Sequence, residues 1–169
     1  MGNRGCLHKE TEHRIARRWA SKAWITCVLE FKGWKAPMWE KGRWTPLFFL
    51  DEATAFAAGH RPCALCRRAD YKRFRAAWGD ALLPEIDATL HAERTGVRPV
   101  VGRDDLVDGA MVAFDDAAHL VFDGGARPWS MAGYGGPAEI PDEVTLLTPP
   151  SLVGVLWRGY ELAVHPSAS

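Results

Sequence analysis

No stretch limits the folds open to this chain more than Gly59-His60-Arg61-Pro62-Cys63-Ala64-Leu65-Cys66. It separates two helical patterns. Upstream, Asp51 suits an N-cap, residues 53–58 are mostly strong helix formers, and Gly59 marks the stop. Downstream, residues 64–78 predict a second helix. Tyr71, Phe74 and Trp78 form an apolar stripe along it, and Arg68, Lys72 and Arg75 a basic one.

A C-x-x-C pair supports redox chemistry or metal binding. A redox pair belongs at the start of a helix that follows a strand, within a thioredoxin-like βαβ unit. Here a helix comes first, and Cys6 and Cys27 are also available, so a closed zinc shell is the stronger expectation. The expected ligands are Cys6, Cys27, Cys63 and Cys66, with His8 able to replace Cys6 and His60 near enough in sequence to compete. The first gap spans 20 residues and the second 35, so the C-x-x-C pair is better specified than its partners. Cys27 has a second reading, as a buried thiol on the face it shares with Ile25, Leu29 and Phe31 of an expected strand.

Charge divides the chain. Residues 1–79 carry 16 Lys/Arg against 7 Asp/Glu, net +9, and residues 80–169 carry 5 against 14, net −9. A basic half that also holds all four cysteines and six of the eight tryptophans points to a polyanion; two lobes attracting each other is the other reading. Arg17, Arg18, Lys22, Arg61, Arg67, Arg68, Lys72 and Arg75 are the candidate phosphate contacts. Trp34, Trp39 and Trp44, in a Lys-, Gly- and Pro-rich loop over residues 32–46, suit either base stacking or the sealing of a small zinc-stapled core.

The expected fold class is α+β. It divides into a basic zinc lobe (1–79), a helical connector (80–98) with a helix over 84–94, and an acidic β-rich lobe (99–169). In the first lobe, strands are expected within residues 3–8, 14–19 and 23–31. In the last, residues 111–114 and 119–122 read as a hairpin, 144–147 and 161–165 as further strands, and 128–136 as a glycine-rich loop without phosphate-loop spacing. Thr148 is the expected N-cap of a final helix. No apolar run reaches the roughly 18 residues that a membrane span requires, and no export signal is in view, so a soluble cytoplasmic location without a membrane partner is expected.

Residues 47–70 carry a resemblance. An aromatic strand end (Leu47-Phe48-Phe49), an Ala-rich helix and then Gly59-His60-Arg61-Pro62-Cys63-Ala64-Leu65-Cys66-Arg67-Arg68-Ala69-Asp70 look like the second half of the Ada-type metal-binding domain. That domain is the zinc module of methylphosphotriester-repair proteins. The resemblance implies that Cys63 and Cys66 ligate zinc and that the following helix lies near DNA, so that DNA is the expected partner ahead of RNA. The C-x-x-x-C pair of that family, which includes its methyl acceptor, has no counterpart between Trp34 and Thr45, and neither a helix-turn-helix nor a Pro-Cys-His-Arg motif is present. No residue here inherits the methyl-acceptor role.

The competing expectations are an enzyme acting on nucleic acid and a structural or protein-interaction zinc module. His8, Glu30, Asp51, Glu52, His60 and His165 are the groups available for catalysis, but their spacing matches no nuclease or deaminase signature. No catalytic residue is assigned.

Overall fold

A computed structural model describes residues 1–9, 14–36 and 38–169. The chain is α+β. Its first part is built from two-residue strands: β1 (Gly2–Asn3), β2 (His8–Lys9), β3 (Arg14–Ile15), β4 (Ile25–Thr26), β5 (Glu30–Phe31) and β6 (Trp34–Lys35). Then come α1 (Glu52–Ala57), β7 (Arg61–Pro62), α2 (Arg68–Trp78) and α3 (Leu83–Thr95). The remainder holds β8 (Val100–Gly102), β9 (Met111–Phe114), β10 (Ala117–Phe122), β11 (Gly125–Ser130), β12 (Gly133–Tyr134), β13 (Glu143–Leu146) and α4 (Pro150–Trp157).

The small sheet runs β1-β4-β7, with β4 and β7 parallel and Thr26 opposite Pro62. The large sheet is antiparallel, in the order β12-β11-β10-β9-β13-β8. Its central hairpin turns on Asp115 and Asp116, both at positive φ, which suits the tight two-residue connection favoured by right-handed strand twist. The turn is shorter than expected: Ala117 and Ala118 already pair with Phe114 and Ala113.

Helix α1 begins as its sequence requires. Asp51 Oδ1 accepts from the Thr54 amide at 2.9 Å, and Thr54 Oγ1 accepts from the Asp51 amide at 3.1 Å. It ends at Gly59, whose φ of +75° is left-handed and whose missing Cβ would lie 2.6 Å from Arg94 Cδ. Only glycine satisfies both conditions.

Helix α2 starts at Arg68 rather than at 64, because residues 64–67 form turns around the cysteines. Thr148 does not cap α4; its hydroxyl accepts from the Met111 amide at 2.8 Å and ties the helix entry to β9. Residues 161–165 form no strand, and the expected glycine-rich loop contains the second half of β11 and all of β12. Of the long strands expected in residues 3–31, only two-residue segments form among the described residues.

The main core joins Phe56 of α1, Phe74 of α2, Ile86 and Leu90 of α3, Val112 of β9, and Leu152 and Val155 of α4. Phe56 stacks on Tyr160 at 5.4 Å, and Phe74 meets the same ring edge-on at 6.2 Å. Fully burying each such side chain contributes about 1.5–3 kcal/mol. This core crosses the compositional boundary at residue 79, so α1 and α2 rest on the acidic half of the chain. No helix among the described residues is long and apolar enough to cross a membrane.

Candidate metal centre and basic face

Parallel pairing of β4 with β7 places the ends of the two strands side by side. Cys27 follows β4 and Cys63 follows β7, and the Cys63 amide donates to Thr26 O at 2.9 Å. Turns after Cys63 bring Cys66 back to it: the Leu65 amide donates to Cys63 Sγ at 3.4 Å, and the Arg67 amide to Cys63 O at 3.2 Å. The Sγ atoms of Cys27, Cys63 and Cys66 all lie within 4.8 Å of one another. In a tetrahedral site with Zn–S bonds of about 2.3 Å, sulfurs sit about 3.8 Å apart, so small side-chain adjustments bring these three to coordinating distance.

The protonation pattern also suits a cation. A hydrogen bond from Cys27 pulls the Cys63 thiol down to about 5. Donating that bond, and then burial, pushes Cys27 up; burial pushes Cys66 up. A thiolate supported by neighbouring thiols is the arrangement a thiophilic ion completes by displacing protons. The three cysteines could hold a metal ion.

The other expected ligands lie elsewhere. Cys6 is half-buried, with Sγ 3.8 Å from His8 O, and is not part of the cluster. His8 is buried: Nδ1 lies 2.6 Å from Thr45 Oγ1, Nε2 lies 3.3 Å from Glu40 O, and the ring meets Trp39 edge-on. His60 is fully buried between Trp24 and Phe49, and its Nε2 accepts from Arg4 Nε at 3.1 Å. Burial, and then the charges of Arg4 and Arg94, hold it well below the usual imidazole range. Strand β4 ends at Thr26, so Cys27 does not continue an apolar strand face as far as Phe31.

The expected phosphate contacts divide into two groups. Arg17, Arg18, Lys22, Arg68 and Lys72 are exposed. Arg61 is not: its Nε and Nη2 donate to Asp87 Oδ1 and Oδ2 at 2.7 and 2.9 Å, with both side chains buried. Arg67 is held by Glu52 at 2.8 Å, Asp70 at 2.7 Å and the Thr26 hydroxyl at 3.0 Å. Arg75 donates to Ala81 O at 2.7 Å. These three cations hold the fold together instead of facing outward.

A cavity of about 590 Å³ opens beside Cys27 and is lined by Asp51, Glu52, Arg67 and His165, among others. Its carboxylates are engaged. Asp51 Oδ2 accepts from Tyr134 Oη at 2.8 Å and from the His165 amide at 3.0 Å. Glu52 accepts from Tyr160 Oη at 2.9 Å and the Ala163 amide at 3.2 Å as well as from Arg67. Burial raises both tyrosine hydroxyls above their ordinary value, and the carboxylates they donate to raise them further. Glu30 also lines this cavity and pairs with Lys35 at 3.3 Å.

Arg4, Arg94 and Arg98 escaped the sequence reading. Isolated arginines in unrelated segments carry no local pattern, and only the fold shows that they share a cavity with Arg18, Trp19 and Trp24.

No protein-family model matches the chain, and comparison with curated proteins and with solved structures gives no match.

Proposed function

We propose that the protein is a zinc-stapled module that binds nucleic acid, DNA ahead of RNA, through the phosphate backbone. The observation that carries this reading is the meeting of Cys27, Cys63 and Cys66 immediately before α2, the helix that presents Arg68 and Lys72 to solvent. The donor set is soft and suits zinc. The Ada-like order of residues 47–70 supports the same placement of a basic helix after a C-x-x-C pair. Methyl transfer is not part of the proposal.

Mutual neutralisation of the two halves would remove the polyanion surface. Among the described residues a single ion pair, Arg61–Asp87, joins the basic half to the acidic half, so the acidic half does not neutralise Arg68 and Lys72.

The test is metal analysis of the purified chain together with fluorescence anisotropy on labelled duplex DNA at a series of salt concentrations. Zinc at one equivalent and an affinity that falls linearly on a log–log salt plot are expected, with R68A and K72A each lowering the slope by about one. Absence of binding at low salt, or binding indifferent to salt, rejects the reading.

A second reading rests on the cavity beside Cys27. Three protein sulfurs leave a tetrahedral ion one open position, as in catalytic zinc sites, and Cys27 lines that cavity. Metal-dependent cleavage of DNA or RNA that persists in R68A/K72A would favour it.

A further inference from the structure

A second cluster of arginines, drawn from both halves of the chain, does not involve the cysteines. Arg4, Arg18, Arg94 and Arg98 line one cavity of about 640 Å³ together with Trp19 and Trp24, and among the described residues no acidic side chain lines it. The guanidiniums of Arg4 and Arg94 lie 3.7 and 4.0 Å from the centre of the Trp24 ring. Arg94 is 8% exposed and donates to Gly59 O at 2.9 Å and to Lys22 O at 2.5 Å. Its Nε is buried and has no partner. Asp87 acts on Arg94 from a distance, but both its oxygens are bonded to Arg61. None of the four arginines makes an ion pair among the described residues.

Gathering four guanidiniums without a counter-ion is unfavourable by itself. Burial lowers Arg4 and Arg94 to about 10, and the charges of Arg4 and Arg61 add to the effect at Arg94. A bound oxyanion removes that repulsion and takes up the N–H donors left over from the bonds of Arg4 to His60, Arg94 to Gly59 and Lys22, and Arg98 to Leu147.

Arg98 and Ala58 also line an adjoining apolar cleft of about 610 Å³, walled by Phe48, Leu50, Met111 and Trp129. Trp129 Nε1 is buried without an acceptor. A large apolar cleft with a few convergent polar groups is the usual form of a small-molecule site, and here it shares Arg98 and Ala58 with a cationic one.

We infer that the two adjoining cavities together bind a phosphate monoester, its phosphate among Arg4, Arg18, Arg94 and Arg98 and its apolar or aromatic body in the cleft beside Trp129. Four unpaired cations favour a phosphate dianion over a carboxylate, and the aromatic walls favour a flat substituent. The ester is either a free organic phosphate or the 5′ end of a nucleic acid strand. The inference stands apart from backbone binding by α2, whose residues lie outside both cavities.

Calorimetric titration of the full chain with phenyl phosphate and with inorganic phosphate tests it. Phenyl phosphate should bind about tenfold tighter, because burying the ring in the cleft adds to the shared anion contacts. R18E, a change at an exposed residue, should weaken both ligands about tenfold. F48A, at the exposed rim of the cleft, should reduce only the advantage of phenyl phosphate. Competition by a 5′-phosphorylated oligonucleotide but not by its 5′-hydroxyl form identifies the strand end as the source; competition by neither identifies a free ester. The inference fails if phenyl phosphate does not bind, if it binds no better than inorganic phosphate, or if R18E with an unchanged melting curve binds both as the parent does.

Discussion

Replacing Arg61 with Met separates the two roles a buried arginine in a basic lobe can have. Arg61 on β7 and Asp87 on α3 make a two-point contact at 2.7 and 2.9 Å, with side chains 5% and 12% exposed. Methionine fills much of the volume but leaves the Asp87 carboxylate buried and unpaired. Breaking one side of such a pair costs about 3–5 kcal/mol. Arg94 lies near enough to act on the Asp87 charge, which places the expected loss toward the lower end of that range. Against a total of about 5–15 kcal/mol for a domain, the variant should still fold at 25 °C but melt early. Urea unfolding followed by tryptophan fluorescence, with the slope compared between variants, measures the loss. R61M/D87L removes both charges and should recover most of it. A loss under about 1 kcal/mol for R61M, or a double variant no better than the single, would refute the structural role. A loss of DNA affinity in folded R61M without a loss of stability would return Arg61 to the binding face.

Three other outcomes are expected. C63S and C66S should lose bound zinc after dialysis while C6S keeps it, measured by atomic emission; zinc loss in C6S would place Cys6 in the shell. His60 is held neutral in the fold, whereas the unfolded chain takes up a proton near pH 6.5. Its contribution to stability is therefore present above that pH and lost as pH falls below it, by up to about 1.4 kcal/mol per pH unit. Urea midpoints from pH 7.5 to 5.0 check this, and a flat profile contradicts it. G59A forces a side chain into a φ of +75° and against Arg94 Cδ at 2.6 Å, and should cost about 1–3 kcal/mol in the same unfolding assay; a neutral result would show that the turn relaxes.

The sequence was informative where the physics is local. The Asp51 cap, the Gly59 stop, the central hairpin and the C-x-x-C pair each depend on residues a few positions apart, and each is present in the fold. What stayed hidden depended on distant partners. Cys27 meets Cys63 only because β4 pairs with β7, whereas Cys6, equal to it in the sequence, is carried to His8 O. Arg61 and Arg67 counted as surface charge until carboxylates from α3 and α1 reached them. Strand β11 was obscured by Pro128, yet β10 pairs with it over Gly125 to Pro128. The boundary at 79 followed charge, whereas Phe56 and Phe74 followed apolar burial into the core of the other half.

The parallel contact between β4 and β7 has a consequence for the order in which the chain acquires structure. An ion held by Cys27, Cys63 and Cys66 ties off a ring of 35 intervening residues, comparable to a disulfide closing the same loop and worth about 4 kcal/mol on a chain-entropy basis. Inside the ring lie Trp34, Trp39 and Trp44 and the two-residue strands β5 and β6, with few sheet hydrogen bonds of their own. The clasp, more than local pairing, would hold that segment in place. Metal supply would then act as a folding checkpoint for the tryptophan-bearing loop, with protease entering there first in chelator-treated protein while the six-stranded sheet stays intact.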